Sequence, residues 1–142
     1  MNGLLLDTNV LLYARGRDHP QREPSRRLLS AAARATVSAA ASVEALQEYT
    51  HVLLRRSDVT RADALASARR VRALLRWHPV DIDVWDVASE ILATHEQLYP
   101  RDAIHAATAV LQQLTLVSAD TVFDRVEGLA WATIPAAAAA LE

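Results

Sequence analysis

The chain has 142 residues, 51% of them hydrophobic, with a mean hydropathy of +0.05 and a formal net charge of -2. That length suits one domain, residues 1–142, with a real core; it excludes general disorder, and no apolar run approaches the roughly 20 residues of a membrane span. Cys is absent and every one of the 15 basic residues is Arg, which excludes disulfides, thiolate metal sites, a Schiff-base lysine and a Walker-type phosphate loop. The start shows no basic region followed by a long apolar stretch, so a cytoplasmic protein without membrane contact is expected. Charge is divided unevenly: residues 1–76 hold 13 Arg against 7 acids, residues 77–142 only 2 Arg against 10 acids. Such asymmetry suits an anionic partner on one face, or solvated helices in an Arg-rich chain.

Leu4-Leu5-Leu6 predicts a short strand buried on both faces and central in a sheet. It stops at Asp7-Thr8-Asn9, and Val10-Leu11-Leu12-Tyr13-Ala14 predicts a helix that ends near Gly16. In a parallel sheet ligands gather beyond the carboxyl ends of the strands, so Asp7 stands at such a lip, although capping the next helix explains it equally. Arg15 to Pro24 reads as a loop, Pro24-Ser25 to Ala33 as a helix, and Ala35-Thr36-Val37-Ser38 as a second strand. Val43, Leu46, Tyr49, Val52 and Leu53 give a helix from Ser42 to Arg56 an inward stripe. Glu44 lies in its first turn, close to the strand edge; Glu48 and His51 read as ordinary helical residues. Thr60 opens a helix running to about Trp77 with Arg69, Arg70, Arg72 and Arg76 outward, either a solvated face or a track for phosphates.

His78 to Ile82 reads as extended, and Asp83 and Asp86 as caps of a helix to about Leu98; a calcium loop there lacks the Gly and Glu it requires. Tyr99-Pro100-Arg101-Asp102 starts another helix, whose first turn stabilises the Asp102 carboxylate. His105 reads as a packed or hydrogen-bonded imidazole. Leu114-Thr115-Leu116-Val117 predicts a strand that exits at Ser118-Ala119-Asp120, with Asp124 four residues on. Gly128 breaks the chain before an edge strand, Leu129 to Ile134, and Pro135 opens an Ala-rich helix.

Asp7, Glu44, Asp102 and Asp120 thus reach one sheet edge by separate routes. Carboxylates crowded together raise one another's pKa unless a cation sits among them, and hard oxygen donors without Cys suit magnesium or manganese. A dication so held polarises a phosphodiester and lowers the pKa of bound water.

The stretches Leu5-Leu6-Asp7-Thr8-Asn9-Val10, Ser42-Val43-Glu44, Arg101-Asp102-Ala103-Ile104-His105-Ala106-Ala107-Thr108-Ala109 and Val117-Ser118-Ala119-Asp120-Thr121-Val122-Phe123-Asp124-Arg125-Val126 resemble the motifs of PIN-domain ribonucleases, in particular the VapC toxins of VapBC toxin-antitoxin modules. The resemblance spans essentially the whole chain. It implies a three-layer α/β/α fold with a central parallel sheet, and Mg2+-dependent cleavage of RNA, with Mn2+ as a substitute. Asp7, Glu44, Asp102 and Asp120 correspond to the family's acidic quartet, with Asp124 as an addition. Thr8 and Ser118 match positions that orient the acids, and Asn9 the amide that steadies the first Asp. A homodimer and a cognate antitoxin are implied as well. Two rivals stand beside this reading: a haloacid-dehalogenase-like phosphatase, which needs an acid where Asn9 stands, and a non-catalytic binding module whose acids are helix caps.

Overall fold

The computed structural model describes residues 3–141. Leu4–Leu6 forms β1, and all three leucines are buried. Side chains alternate across a strand, so Leu4 and Leu6 enter one core while Leu5 enters another. β1 is the middle of a five-stranded parallel sheet. Its partners are Ala39–Ser42 (β2), Arg76–His78 (β3), Thr115–Val117 (β4) and Trp131–Ala132 (β5), in the order β3-β2-β1-β4-β5.

Helices cover both faces, as parallel strands require of their crossovers. On the Leu4 and Leu6 side lie α1 (Thr8–Arg15), α2 (Arg22–Ala33), α3 (Val43–Arg55), α4 (Arg61–Leu74) and α7 (Ile134–Ala139), through Val10, Leu28, Tyr49, Val71 and Ile134. On the Leu5 side α6 (Pro100–Gln112) sets Ala106 and Ala109 against Leu5 and Ala40, and α5 (Ile82–Thr94) packs on α6 through Val84, Ala88, Ala103 and Ala107. The result is the expected three-layer α/β/α arrangement. No helix among the described residues is long and apolar enough to cross a membrane.

Several boundaries differ from the sequence reading. The second strand is Ala39–Ser42, not Ala35 to Ser38. α2 ends where Ala35 takes φ 57°, with Thr36 N–H bonded to Ala31 O and Ala35 N–H to Ala32 O, a left-handed helix ending in which Ala replaces the usual Gly. Three buried alanines and Ser42 then form the strand, Ala40 facing Ala106 and Ala109 of α6 and Ala39 and Ala41 facing the opposite core. α2 itself begins at Arg22, with Pro24 in the first turn, where no intrahelical N–H is needed. Trp77 belongs to β3 rather than to α4. Val43 is exposed, and the inward stripe of α3 is carried by Ala45, Tyr49 and Leu53. Asp81, not Asp83 or Asp86, caps α5, accepting from Val84 N–H at 3.1 Å, and that helix stops at Thr94.

Candidate active site

The carboxyl ends of β1 and β4 are adjacent, and Asp7 N–H bonds across to Val117 O at 3.0 Å. This register sets Asp7, at the end of β1, beside Ser118, at the end of β4. Ser118 Oγ donates to Asp7 Oδ2 at 2.7 Å and accepts from Asn9 Nδ2 at 3.1 Å and from Asp120 N–H at 3.0 Å. A hydroxyl has one donor and two acceptor sites, so the buried Ser118 is fully used. Asn9 closes the circuit: its Nδ2 lies 3.4 Å from Asp7 Oδ2, and its Oδ1 accepts from Ala119 N–H at 3.3 Å. Asp7 Oδ1 accepts from Thr8 N–H at 2.6 Å. Thr8 therefore orients Asp7 through its main-chain amide, while its buried hydroxyl has no partner. Asn9 is a donor to Asp7 and not the second acid that a phosphatase needs.

Asp102 Oδ2 accepts from Tyr99 N–H at 2.9 Å in a capping box at the start of α6. Asp120 caps the single 3-10 turn Thr121–Arg125, its Oδ1 accepting from Val122 N–H at 3.1 Å. Asp7 is the N-cap of α1. Capping and clustering are thus the same placement: three N-termini bring their unpaired amides and positive dipole ends to one cleft, which holds three carboxylates there.

That cleft, of about 150 Å³, is lined by Asp7, Thr8, Asn9, Leu12, Glu48, Arg101, Asp102, His105 and Asp120. Glu44 is not among them. It lines an adjoining groove of about 630 Å³ with Val43, Leu46, Gln47, Thr50, His51 and Leu54, and Glu48 and Arg101 belong to both spaces. Glu44 and Glu48 lie one turn apart on the same flank of α3, and the second turn is the one that reaches the cleft. The place that the sequence reading gave to Glu44 is therefore taken by Glu48, whose available signal was that i, i+4 relation. Asp124 is exposed and lines a different depression with Gln97 and Arg125, and it is not among the residues that line the cleft.

Arg101, also missed, forms an ion pair with Glu48 at 3.0 Å. Burial pushes the Asp102 carboxyl above the usual carboxylate range; the Tyr99 amide opposes this, and the negative charges of Asp120 and Asp7 add to it. The negative charge is therefore concentrated and only partly compensated by the protein. Among the described residues no three acidic or histidine side chains stand as a finished coordination group; Glu48 turns to Arg101, and Asp102 to its own helix.

The model of the PIN domain family matches residues 4–129. The chain is 36% identical over 121 residues to Ribonuclease VapC7 of Mycobacterium tuberculosis, covering 84% of this chain and 83% of that protein. To Ribonuclease VapC23 of the same species it is 34% identical over 115 residues, covering 80% and 89%. Among solved structures it resembles VapBC2 from Rickettsia felis bound to a promoter DNA fragment, with TM-score 0.75, 19% identity and coverage of 92% of this chain and 97% of that one. It also resembles Mycobacterium tuberculosis VapC20, described as a sarcin-ricin loop cleaving toxin, with TM-score 0.64, 23% identity and coverage of 80% and 87%.

Proposed function

This chain belongs to the PIN domain family, among relatives named VapC ribonucleases, and from that premise we propose that it is the endoribonuclease toxin of a VapBC module, hydrolysing RNA phosphodiester bonds with the help of Mg2+ or Mn2+. The observation that carries the reading is the single cleft whose lining includes Asp7, Glu48, Asp102 and Asp120. The donor set is all oxygen, and burial, with the charges of Asp120 and Asp7 added to it, raises the Asp102 pKa, a cost that a bound dication would relieve; both features fit a hard cation. Asp7, Asp102 and Asp120 are the residues to hold it, with Glu48 rather than Glu44 as the fourth acid and Asp124 outside the set. When bound, the cation supplies Lewis-acid polarisation of the phosphate and a water acidic enough to attack at neutral pH.

The chain does the rest. Ser118, Asn9 and the Thr8 amide fix Asp7 from beneath, leaving its last lone pair, on Oδ1, to the cleft. Glu48 accepts a proton from the attacking water once Arg101 turns from it to the substrate phosphate. Attack by water leaves a 5'-phosphate and a 3'-hydroxyl. A cognate antitoxin is the partner, a homodimer the working state and the cytoplasm the setting. Asp7→Asn should abolish cleavage of cellular RNA while circular dichroism stays native; a fully active D7N protein would sink the assignment.

A further inference from the structure

His105 is 1% exposed, and nothing in the mechanism above uses it. It sits on the inner face of α6, one turn after Asp102, with its ring spanning the carboxyl ends of two adjacent strands. Nδ1 lies 3.3 Å from Ser42 Oγ at the end of β2, and Nε2 lies 3.4 Å from Asp7 Oδ1 at the end of β1. A buried imidazole nitrogen that faces a carboxylate must carry a hydrogen, since two lone pairs would repel. Ser42 bears on the other nitrogen. It occupies the N-cap position of α3, where a serine hydroxyl ordinarily accepts from a helical amide, yet it makes no such bond and turns to His105 instead. It is also fully buried.

We propose that His105 is a positioning residue for Asp7: Ser42 donates to Nδ1, which fixes the Nε2–H tautomer, and Nε2–H steadies Oδ1. The inference rests on the metal-site reading of the cleft, but its geometry does not. Nε2 has no other partner, and its approach to Oδ1 falls just short of hydrogen-bond geometry, so the contact steers the carboxylate rather than occupying its last lone pair. The Ser42–His105–Asp7 chain ties together the strand of Asp7, the helix of Asp102 and the start of the helix of Glu48. The orientation of the first acid is thereby coupled to two of the others.

Groups that orient a metal ligand typically contribute 10- to 100-fold to metal affinity. His105→Leu should therefore weaken Mn2+ binding, read by electron paramagnetic resonance, by roughly 10- to 100-fold. His105→Gln, which can place an amide N–H where Nε2 stands, should restore most of it. Ser42→Ala, a small deletion that keeps the ring, covers the case in which His105→Leu does not fold, and should give an intermediate loss. Independently of metal, ¹⁵N spectra of the ring should show the neutral Nε2–H tautomer, and the Nε2 resonance should move in Asp7→Asn. An Nδ1–H or cationic ring overturns the proposal, as does equal Mn2+ affinity in His105→Leu and the unmodified protein. If the unmodified protein and Asp7→Asn bind Mn2+ alike, the metal-site reading fails, and the ¹⁵N spectra alone decide the role of His105.

Discussion

Asp102 carries its charge at the expense of stability. Its folded-state pKa is raised, by burial first and then by Asp120 and Asp7, so the folded protein binds this proton more tightly than the unfolded chain. The contribution to stability is therefore favourable below the carboxylate range and is lost as pH rises through it. Asp102→Asn removes the buried charge, and with it the repulsion from Asp120 and Asp7, and keeps an oxygen to accept from Tyr99 N–H, so the metal-free variant should melt higher than the parent at neutral pH. The gain should shrink as pH falls below the ordinary Asp pKa of about 3.9, where Asp102 is protonated in the folded and unfolded states alike; an unchanged melting temperature at pH 7 would show that the buried Asp102 charge costs no stability. The two glutamates of α3 separate in the same way. Glu48→Gln should lower the rate of RNA cleavage by at least about 100-fold, the scale of a lost general base, whereas Glu44→Gln should leave kcat nearly unchanged. Equal losses in single-turnover assays would return Glu44 to the cleft.

At the scale of the elements, two helices end on residues poorly suited to the backbone they adopt. Ala35 and Gln113 hold φ of 57° and 56°, a left-handed conformation that is costly for any residue with a Cβ and free for glycine. Ala35→Gly should raise stability by roughly 1 kcal/mol, read as a shift of the urea midpoint with unchanged slope. The site depends on the closeness of α6 to the sheet, and that closeness rests on Ala106 and Ala109 against Leu5 and Ala40, all essentially buried. Ala106→Leu inserts bulk where there is no space and should cost about 1–3 kcal/mol. It should also displace His105 and Asp102, so cleavage should fall further than the loss of folded protein explains.

At the scale of the whole molecule, the charge asymmetry of the sequence becomes a spatial one. The exposed arginines of α2 and α4, among them Arg26, Arg69, Arg70 and Arg72, lie on one helical layer, and Asp83, Asp86 and Glu90 of α5 lie on the other. The acidic cleft opens at the strand ends between those layers. If it takes a dication, saturating Mg2+ stabilises the folded state by mass action. At a concentration of about 100 Kd the gain is about 2.7 kcal/mol, a rise in melting temperature on the order of 5–10 °C. Asp7→Asn should lose most of that rise. A module that used its acids only as caps would show equal, small shifts in both proteins.

The sequence by itself determined the elements whose signal is local. Three leucines that stop at Asp7 specify a central strand and the acid at its end, the alternation of strands and helices specifies a parallel sheet, and Pro100 with Asp102 specifies a helix start. Asp7, Asp102 and Asp120 were legible for the same reason, since each directly follows a strand or opens a helix turn. Ser118 and Asn9 were legible as neighbours of those acids, though not the circuit that joins them. Tertiary structure alone decided the second strand, because alanine has no strand preference and only packing on both faces, α6 against Ala40 and the opposite helical layer against Ala39 and Ala41, makes them suitable. It alone put Glu48 in the lining of the cleft and Glu44 only in the adjoining groove, since which turn of α3 overhangs the cleft depends on how that helix leaves the sheet. It also set Asp124 aside and gave His105 its neighbours, Ser42 and Asp7, which lie 63 residues away along the chain in the first case and on a different strand in the second. Local patterns fix where a side chain leaves its own element; only packing fixes what that side chain meets.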